Sequence, residues 1–277
     1  MSDPERLSSL QPSQVAVYRN YLQLQSIRAD GFPSSSAEGL AGRLIVCVGF
    51  AVGGAELALA TTISGGTFLG IDPSPEHLKA AVRNGSCDFM VNTLDESLRV
   101  LKNELRKHQA LAVGLLGDAS VILPAMVDRG VQPDLVADTS PPDGSAAVSL
   151  YRPALLQLIE RGAGTVDIPA TNLSPANGQM EVFWTAANLA DWKHLDAIAL
   201  EQLPPEDTVR RRWLQQASGC FHRQRPLQRV FDLYPDELTP LLDAFRAAMS
   251  AGTMQAPATV SWQAADGSRH SIDLHRP

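Results

Sequence analysis

Short apolar runs alternate with segments of helical character between residues 43 and 138. Such runs are typical of buried parallel strands, and the segments between them fit the helical period. The pattern therefore predicts an α/β fold with a Rossmann-like, doubly wound parallel sheet. The predicted strands are 43–48, 67–71, 88–91, 111–116 and 134–138, and the predicted helices are 55–64, 75–84, 94–107 and 118–128.

The remainder of the chain predicts a helix-rich C-terminal part. A helix over 12–26 and a Ser/Gly/Pro connector over 29–42 precede the first strand, and a Pro/Gly-rich break covers 139–144. The final residues alternate around Asp266-Gly267, which predicts a terminal β-hairpin. Three regions follow from this pattern: 1–42, 43–145 and 146–277. The elements predicted after the break are helices 149–161, 189–200, 206–218 and 236–251 and a strand at 164–168.

A glycine-containing turn between the first strand and its helix is the main candidate for chemistry. It reads Gly49-Phe50-Ala51-Val52-Gly53-Gly54, and Asp72 follows Gly49 by 23 residues at the end of the second strand. In dinucleotide sites glycines admit a pyrophosphate, and an acid about 20 residues on accepts the ribose hydroxyls. The spacing here is G-x-x-x-G-G, so a plain strand-to-helix turn is the alternative for the glycines, and a strand-end turn residue is the alternative for Asp72.

Two further strand ends carry polar residues that would border the same cleft. Gly117-Asp118 opens a predicted helix with Asp118 as its N-cap, and Asp138-Thr139-Ser140 ends a strand. Open α/β sheets bind ligands at the carboxyl ends of their strands. The predicted cofactor-binding residues are therefore Gly49, Val52, Gly53, Gly54, Asp72, Gly117, Asp118, Asp138, Thr139 and Ser140.

Three stretches of the chain resemble the urocanase (urocanate hydratase) family. They are GGAELALATTISGG from Gly53, GLLGDASVILPAMVDRGVQPDLVADTS from Gly114, and FWTAANLADWKHLDAIALEQLPPEDTVRRRWL from Phe183. The resemblance spans 43–213 with gaps and implies an NAD-binding domain. In that family NAD acts as an electrophile toward the substrate's imidazole ring, rather than as a hydride carrier.

The departures from the family's motifs argue against its reaction. Glu56 replaces a Gln, Asp118 replaces an Asn, and Pro142 replaces a His. The segment from Arg229 to Tyr234 is the nearest equivalent of the stretch that carries the active-site Cys, with Phe231 in the place of the thiol. The family's catalytic core flanks the NAD domain, and this chain is about half as long as the family's proteins.

These departures leave three hypotheses for function. The first is a urocanase-like NAD-binding protein, a lyase relative from histidine metabolism, that acts on a small polar or heteroaromatic metabolite with changed chemistry. The second is a non-catalytic ligand sensor or partner subunit, and the third is a small NAD-dependent dehydrogenase. The acid at Asp72 favours NAD over NADP because it repels a 2′-phosphate. No catalytic residue is assigned.

Composition narrows the class of partner. The net charge of −7 argues against a nucleic-acid backbone as ligand, and no apolar run has the length of a membrane span. We therefore expect a cytoplasmic protein with a small-molecule ligand, either a homo-oligomer or a partner subunit. The basic run Arg210-Arg211-Arg212 predicts a solvated helix face, with a binding patch as the alternative.

Cysteine and histidine placement gives little support for a metal or a nucleophile. Three scattered cysteines indicate reduced thiols, and no pair of His or Cys residues has a metal-ligand spacing. Cys47 falls inside a predicted strand and fits a small core residue. Cys220 lies two residues before His222, so a nucleophilic role is the alternative to a structural one.

Overall fold

The chain divides into two compact units, Met1–Ala170 and Thr171–Pro277. A computed structural model describes residues 12–31, 39–51, 53–139, 146–168, 175, 178–221, 224–254, 257–263 and 267–275. No helix among these residues is long and apolar enough to cross a membrane.

The described part of the first unit contains a sheet of six parallel strands, which confirms the predicted Rossmann-like α/β class. Its strands are β1 (Leu44–Val48), β2 (Thr67–Asp72), β3 (Phe89–Val91), β4 (Leu111–Leu116), β5 (Leu135–Asp138) and β6 (Gly164–Thr165). They lie in the order β3-β4-β2-β1-β5-β6. Its helices are α1 (Gln14–Gly31), α2 (Gly54–Ile63), α3 (Pro75–Asn84), α4 (Leu94–Arg106), α5 (Ala119–Asp128) and α6 (Ala146–Glu160).

Alternate strand residues are buried on the two faces of this sheet. On one face Val46, Leu69 and Leu115 join a single apolar cluster with Leu123 of α5 and Leu158 of α6. The other face packs against α2 and α3, and α1 lies against α2. Because both faces are covered, the strands read as continuous apolar runs, which is why periodicity located them correctly.

Residues 146–168 differ from their predicted assignment to the C-terminal part. Helix α6 packs against α5, and β6 pairs in parallel with β5. Both elements therefore extend the sheet unit, and the division between the compact units follows Ala170. The N-terminal helix α1, predicted as part of a separate 1–42 region, is likewise a layer of this unit.

The second unit joins an antiparallel sheet to three described helices. The elements are β7 (Met180–Ala186), α7 (Leu189–Gln202), α8 (Thr208–Phe221), β8 (Leu227–Leu233), α9 (Pro235–Ser250), β9 (Ala258–Gln263) and β10 (Arg269–Leu274). The sheet has the order β10-β9-β7-β8, and the terminal pair β9 and β10 is the predicted hairpin. Strands β7 and β8 were not predicted.

A buried ion pair lies inside the second unit. The guanidinium of Arg229 is fully buried and donates to both carboxylate oxygens of Asp196. The Trp184 indole N–H donates to Asp196 at 3.0 Å, and the Ser218 hydroxyl donates to it at 2.8 Å. Arg229 also lies 4.4 Å above the ring centroid of Trp192. This network satisfies both oxygens of Asp196 and two of the three guanidinium nitrogens of Arg229, while Arg229 Nη1 is buried without a hydrogen-bond partner among the described residues.

The basic run in α8 is not the solvated face that its sequence predicted. Arg210 is 8% exposed and forms ion pairs with Asp207 and Glu237. Arg211 donates to the carbonyl oxygens of Leu200 and Leu203, which lie at the end of α7. Both side chains therefore hold helix ends together within the second unit.

We expect Gly70→Ala to lower the free energy of unfolding by about 1–3 kcal/mol, the usual cost of overpacking a core. A Cβ at Gly70 would lie 2.2 Å from the Phe50 ring, which is itself buried. Urea denaturation measures the change. Gly219→Ala is the control, because a Cβ there meets nothing within 4 Å and alanine favours the helix. Equal stability of the Gly70→Ala variant and the wild type would contradict this packing.

Candidate functional site at the carboxyl edge of the parallel sheet

The crevice between β1 and β5 is the topological switch point of the sheet. The chain leaves β1 toward β2 on one side, whereas it leaves β5 toward β6 on the other. Open α/β sheets bind ligands at such a point, outside the carboxyl ends of the strands. Gly49 follows β1, and Thr139 follows β5, so the structure brings these two predicted site residues together.

The turn after β1 packs closely against the end of β5. Gly49 has φ +88°, and a Cβ there would lie 2.2 Å from the Thr139 hydroxyl oxygen. A Cβ on Gly54 would lie 2.3 Å from the Gly49 carbonyl oxygen. The Thr139 hydroxyl donates to the Val48 carbonyl oxygen at 2.8 Å. These glycines are therefore required by contacts within the chain, whatever ligand the crevice takes.

Gly53 is the N-cap residue immediately before α2 and has φ +86°, and the Ile168 side chain lies beside it. A Cβ on Gly53 would be 2.9 Å from the Ile168 Cγ2 atom. The Gly53 N–H donates to the Glu56 carboxylate at 3.0 Å. Sequence reasoning missed Ile168 and this role of Glu56, although an acid three residues after a helix cap is a recognisable capping signal.

Asp72 is buried, and its carboxylate contacts three other residues of the first unit. Its carboxylate accepts the Phe50 N–H at 2.7 Å and the Ser74 N–H at 2.8 Å. His77 Nδ1 lies 3.1 Å from the same carboxylate, and the His77 side chain is 38% exposed. The residue predicted to bind a ribose thus already binds the glycine turn. Of Asp72 and His77, His77 is the more accessible to a ligand.

The remaining predicted residues border the same edge. Asp118 caps α5 by accepting the Ser120 N–H at 2.8 Å, and hydrogen bonds from Ser120 lower its pKa. Asp138 accepts the Tyr151 hydroxyl at 2.9 Å. A Cβ on Gly117 would lie 2.9 Å from the Ile122 side chain. Val52 and Ser140 lie outside the described residues, as does Pro142.

The match to known families comes from the first unit. Residues 22–168 match the family described as the urocanase Rossmann-like domain, which is more than half of the 277 residues. The chain belongs to the urocanase family. Among solved structures, a protein arginine methyltransferase 10 from Arabidopsis thaliana is 10% identical, with 93% of this chain and 79% of that chain covered. Its TM-score of 0.24 carries no structural argument.

The other reactive candidates of this urocanase relative are the thiols of Cys47 and Cys220 and the imidazole of His222. Cys47 is buried in β1, where desolvation raises its pKa, in keeping with a core residue. Cys220 is partly exposed at the end of α8, but His222 is outside the described residues. No cluster of three or more His, Cys, Asp or Glu residues with metal-binding geometry occurs in the described chain.

The residue that the sequence resemblance sets against the family's thiol lies in the second unit. Phe231 is fully buried in β8 and packs against Trp184 with ring centroids 5.7 Å apart. It also contributes to the wall of a cavity of about 150 Å³, together with Leu203 and Leu241. A phenyl ring in this position contributes packing and offers no nucleophile.

We expect Asp72→Asn to lower the free energy of unfolding by about 1–3 kcal/mol, since an amide cannot accept all the hydrogen bonds of a buried carboxylate. Urea denaturation provides the measurement. Asp118→Asn is the matched control, because Asn caps a helix as well as Asp and should change the stability by no more than about 0.5 kcal/mol. If Asp72→Asn left the free energy of unfolding unchanged, the structural role of this carboxylate would be contradicted.

Proposed function

We propose that the chain is a ligand-binding protein of the urocanase family whose switch-point crevice takes a dinucleotide, with NAD the expected ligand. The convergence of Gly49, Gly53, Gly54 and Thr139 at the carboxyl ends of β1 and β5 carries this proposal. Glycine turns at such a position allow a pyrophosphate to approach the backbone. The chemistry that NAD supplies within this family is electrophilic activation of a heteroaromatic ring.

Some residues around the crevice suit the parts of NAD that they would face, and one, Glu56, does not. The backbone at Gly53-Gly54 would face the pyrophosphate, and the Asp72–His77 pair would face the adenosine ribose. Asp138 and Thr139 would border the nicotinamide half, whereas Asp118 follows β4 on the Asp72 side of β1, away from β5. The carboxylate of Glu56 does not suit a pyrophosphate, because it places a negative charge at the start of α2.

Urocanate hydration is not part of the proposed function. An acid–base or covalent step at the family's positions needs a thiol and an imidazole, and Phe231 and Pro142 can supply neither. We therefore favour ligand binding, with a small polar or heteroaromatic metabolite as the partner of the nucleotide. If the protein releases the bound metabolite unchanged, its role is that of a sensor or a partner subunit.

We expect NAD to raise the melting temperature of the protein, since a ligand that binds only the native state stabilises it by about 2.7 kcal/mol at 100 times its Kd. Ile168→Trp should abolish the shift by filling the space beside Gly53, whereas Ile168→Val should retain it. Differential scanning fluorimetry measures all three proteins. If saturating NAD, NADH and adenosine nucleotides all leave the melting temperature unchanged, the crevice is only a scaffold.

We expect the purified protein, incubated with NAD and urocanate, to leave the ultraviolet absorbance of urocanate unchanged. Phe231→Cys should not restore hydration, because the position is fully buried in β8 and a lone thiol there lacks its acid–base partners. A urocanase with an intact active site serves as the positive control. A steady fall in urocanate absorbance with the wild-type chain would show that other residues carry the reaction.

A further inference from the structure

The Glu56 carboxylate lies between the N-terminal ends of two helices. Its Oε2 atom accepts the Gly53 N–H at 3.0 Å, where α2 begins. Its Oε1 atom accepts the Ser13 N–H at 3.3 Å, immediately before α1. Since α1 packs against α2, this arrangement holds the two helix starts at one anion.

Helix N-termini carry unpaired N–H groups and the positive end of the helix dipole, so they bind anions. In dinucleotide sites this anion is the pyrophosphate of the ligand. Here a carboxylate from the chain itself takes the Gly53 N–H. A phosphate that approached the same turn would compete for that donor and would also meet a negative charge.

Two other N–H groups of the turn, those of Gly49 and Phe50, also donate to groups of the chain itself. The Gly49 N–H donates to the Ile71 carbonyl oxygen at 2.8 Å, and the Phe50 N–H donates to Asp72 at 2.7 Å. Phe50 itself is buried, with its ring against Gly70 of β2. Of these three hydrogen bonds, only the one to Glu56 can be released by rotating an accessible side chain. Asp72 is buried, and the Gly49 N–H bonds to a backbone carbonyl.

We propose that Glu56 is a specificity-determining residue that acts as an internal substitute for the phosphate of the ligand. While its carboxylate holds Gly53, the crevice discriminates against ligands that carry phosphate at this turn. A pyrophosphate binds there only when the Glu56 side chain turns away. This inference rests on the proposed function for the identity of the crevice, but it concerns the phosphate subsite, which can be tested without NAD.

The test compares the wild type with Glu56→Gln, which keeps an acceptor for the Gly53 N–H and removes the charge. Glu96→Gln is the matched control, since Glu96 lies in the first turn of another helix, α4. Isothermal titration calorimetry would measure the Kd of NAD, inorganic pyrophosphate and adenosine for each protein. Circular dichroism would check folding, and Glu56→Ala is the second variant if Glu56→Gln fails to fold.

We expect Glu56→Gln to bind NAD and pyrophosphate about tenfold more tightly, the effect of removing one nearby repulsive charge. Its affinity for adenosine should stay unchanged, and Glu96→Gln should behave as the wild type. The gap between wild type and Glu56→Gln should narrow at high ionic strength, because salt screens the repulsion.

The outcomes separate this inference from the proposed function. If Glu56→Gln, or Glu56→Ala in its place, binds NAD and pyrophosphate with the same Kd values as the wild type, the role of Glu56 is overturned while NAD binding stands. Tighter pyrophosphate binding by Glu56→Gln without any NAD binding would support the role of Glu56 and overturn NAD as the ligand. If neither NAD nor pyrophosphate binds to any of the proteins, both the role of Glu56 and the proposed function are overturned.

Discussion

The carboxyl edge of the parallel sheet depends on the close approach of backbone in the turn after β1. The Gly49 carbonyl oxygen lies 2.3 Å from the position of a Cβ on Gly54, and the Thr139 hydroxyl oxygen lies 2.2 Å from the position of a Cβ on Gly49. Any side chain at these positions would force the turn away from β5 and open the switch point. The same glycines that suggest a ligand site are therefore also needed to join the first strand to its helix, which makes the motif weak evidence when it is taken alone.

Much of the fold could be predicted from the sequence because the parallel sheet is buried on both faces. Its apolar strands, such as Leu111–Leu116 with Gly114 beneath Leu78, stand out against their polar flanks. The cap at Asp118 and the left-handed Gly130 after α5 were also predictable, since both are local signals. Long-range pairing was harder to predict. The short strand β6 and helix α6 join the sheet through β5 and α5, contacts that no local pattern encodes.

The second unit shows why charge patterns were misleading. In β8, Arg229 and Asp232 are both buried, so the strand lacks the continuous apolar run that identified β1 and β4. Arg229 is compensated by Asp196 and by Trp192, which lie more than thirty residues earlier in the chain. Arg210 is compensated in the same way by Glu237. A sequence gives the charge but not its distant partner, so a buried ion pair reads as a polar surface or a binding patch.

The same limit applies to the candidate site and decides how its acids should be understood. Asp72 was predicted at its correct place, at the end of β2, yet its carboxylate binds the turn rather than facing outward. Glu56 satisfies Gly53 and reaches Ser13, so two carboxylates occupy donors that a nucleotide site normally offers to its ligand. Each contact stabilises the free protein, and a ligand that needs the same donor must replace it. Stability without ligand and affinity for phosphate are therefore opposed in this crevice. Since Asp72 is buried and Glu56 is only half-buried, Glu56 is the carboxylate that a phosphate ligand would displace.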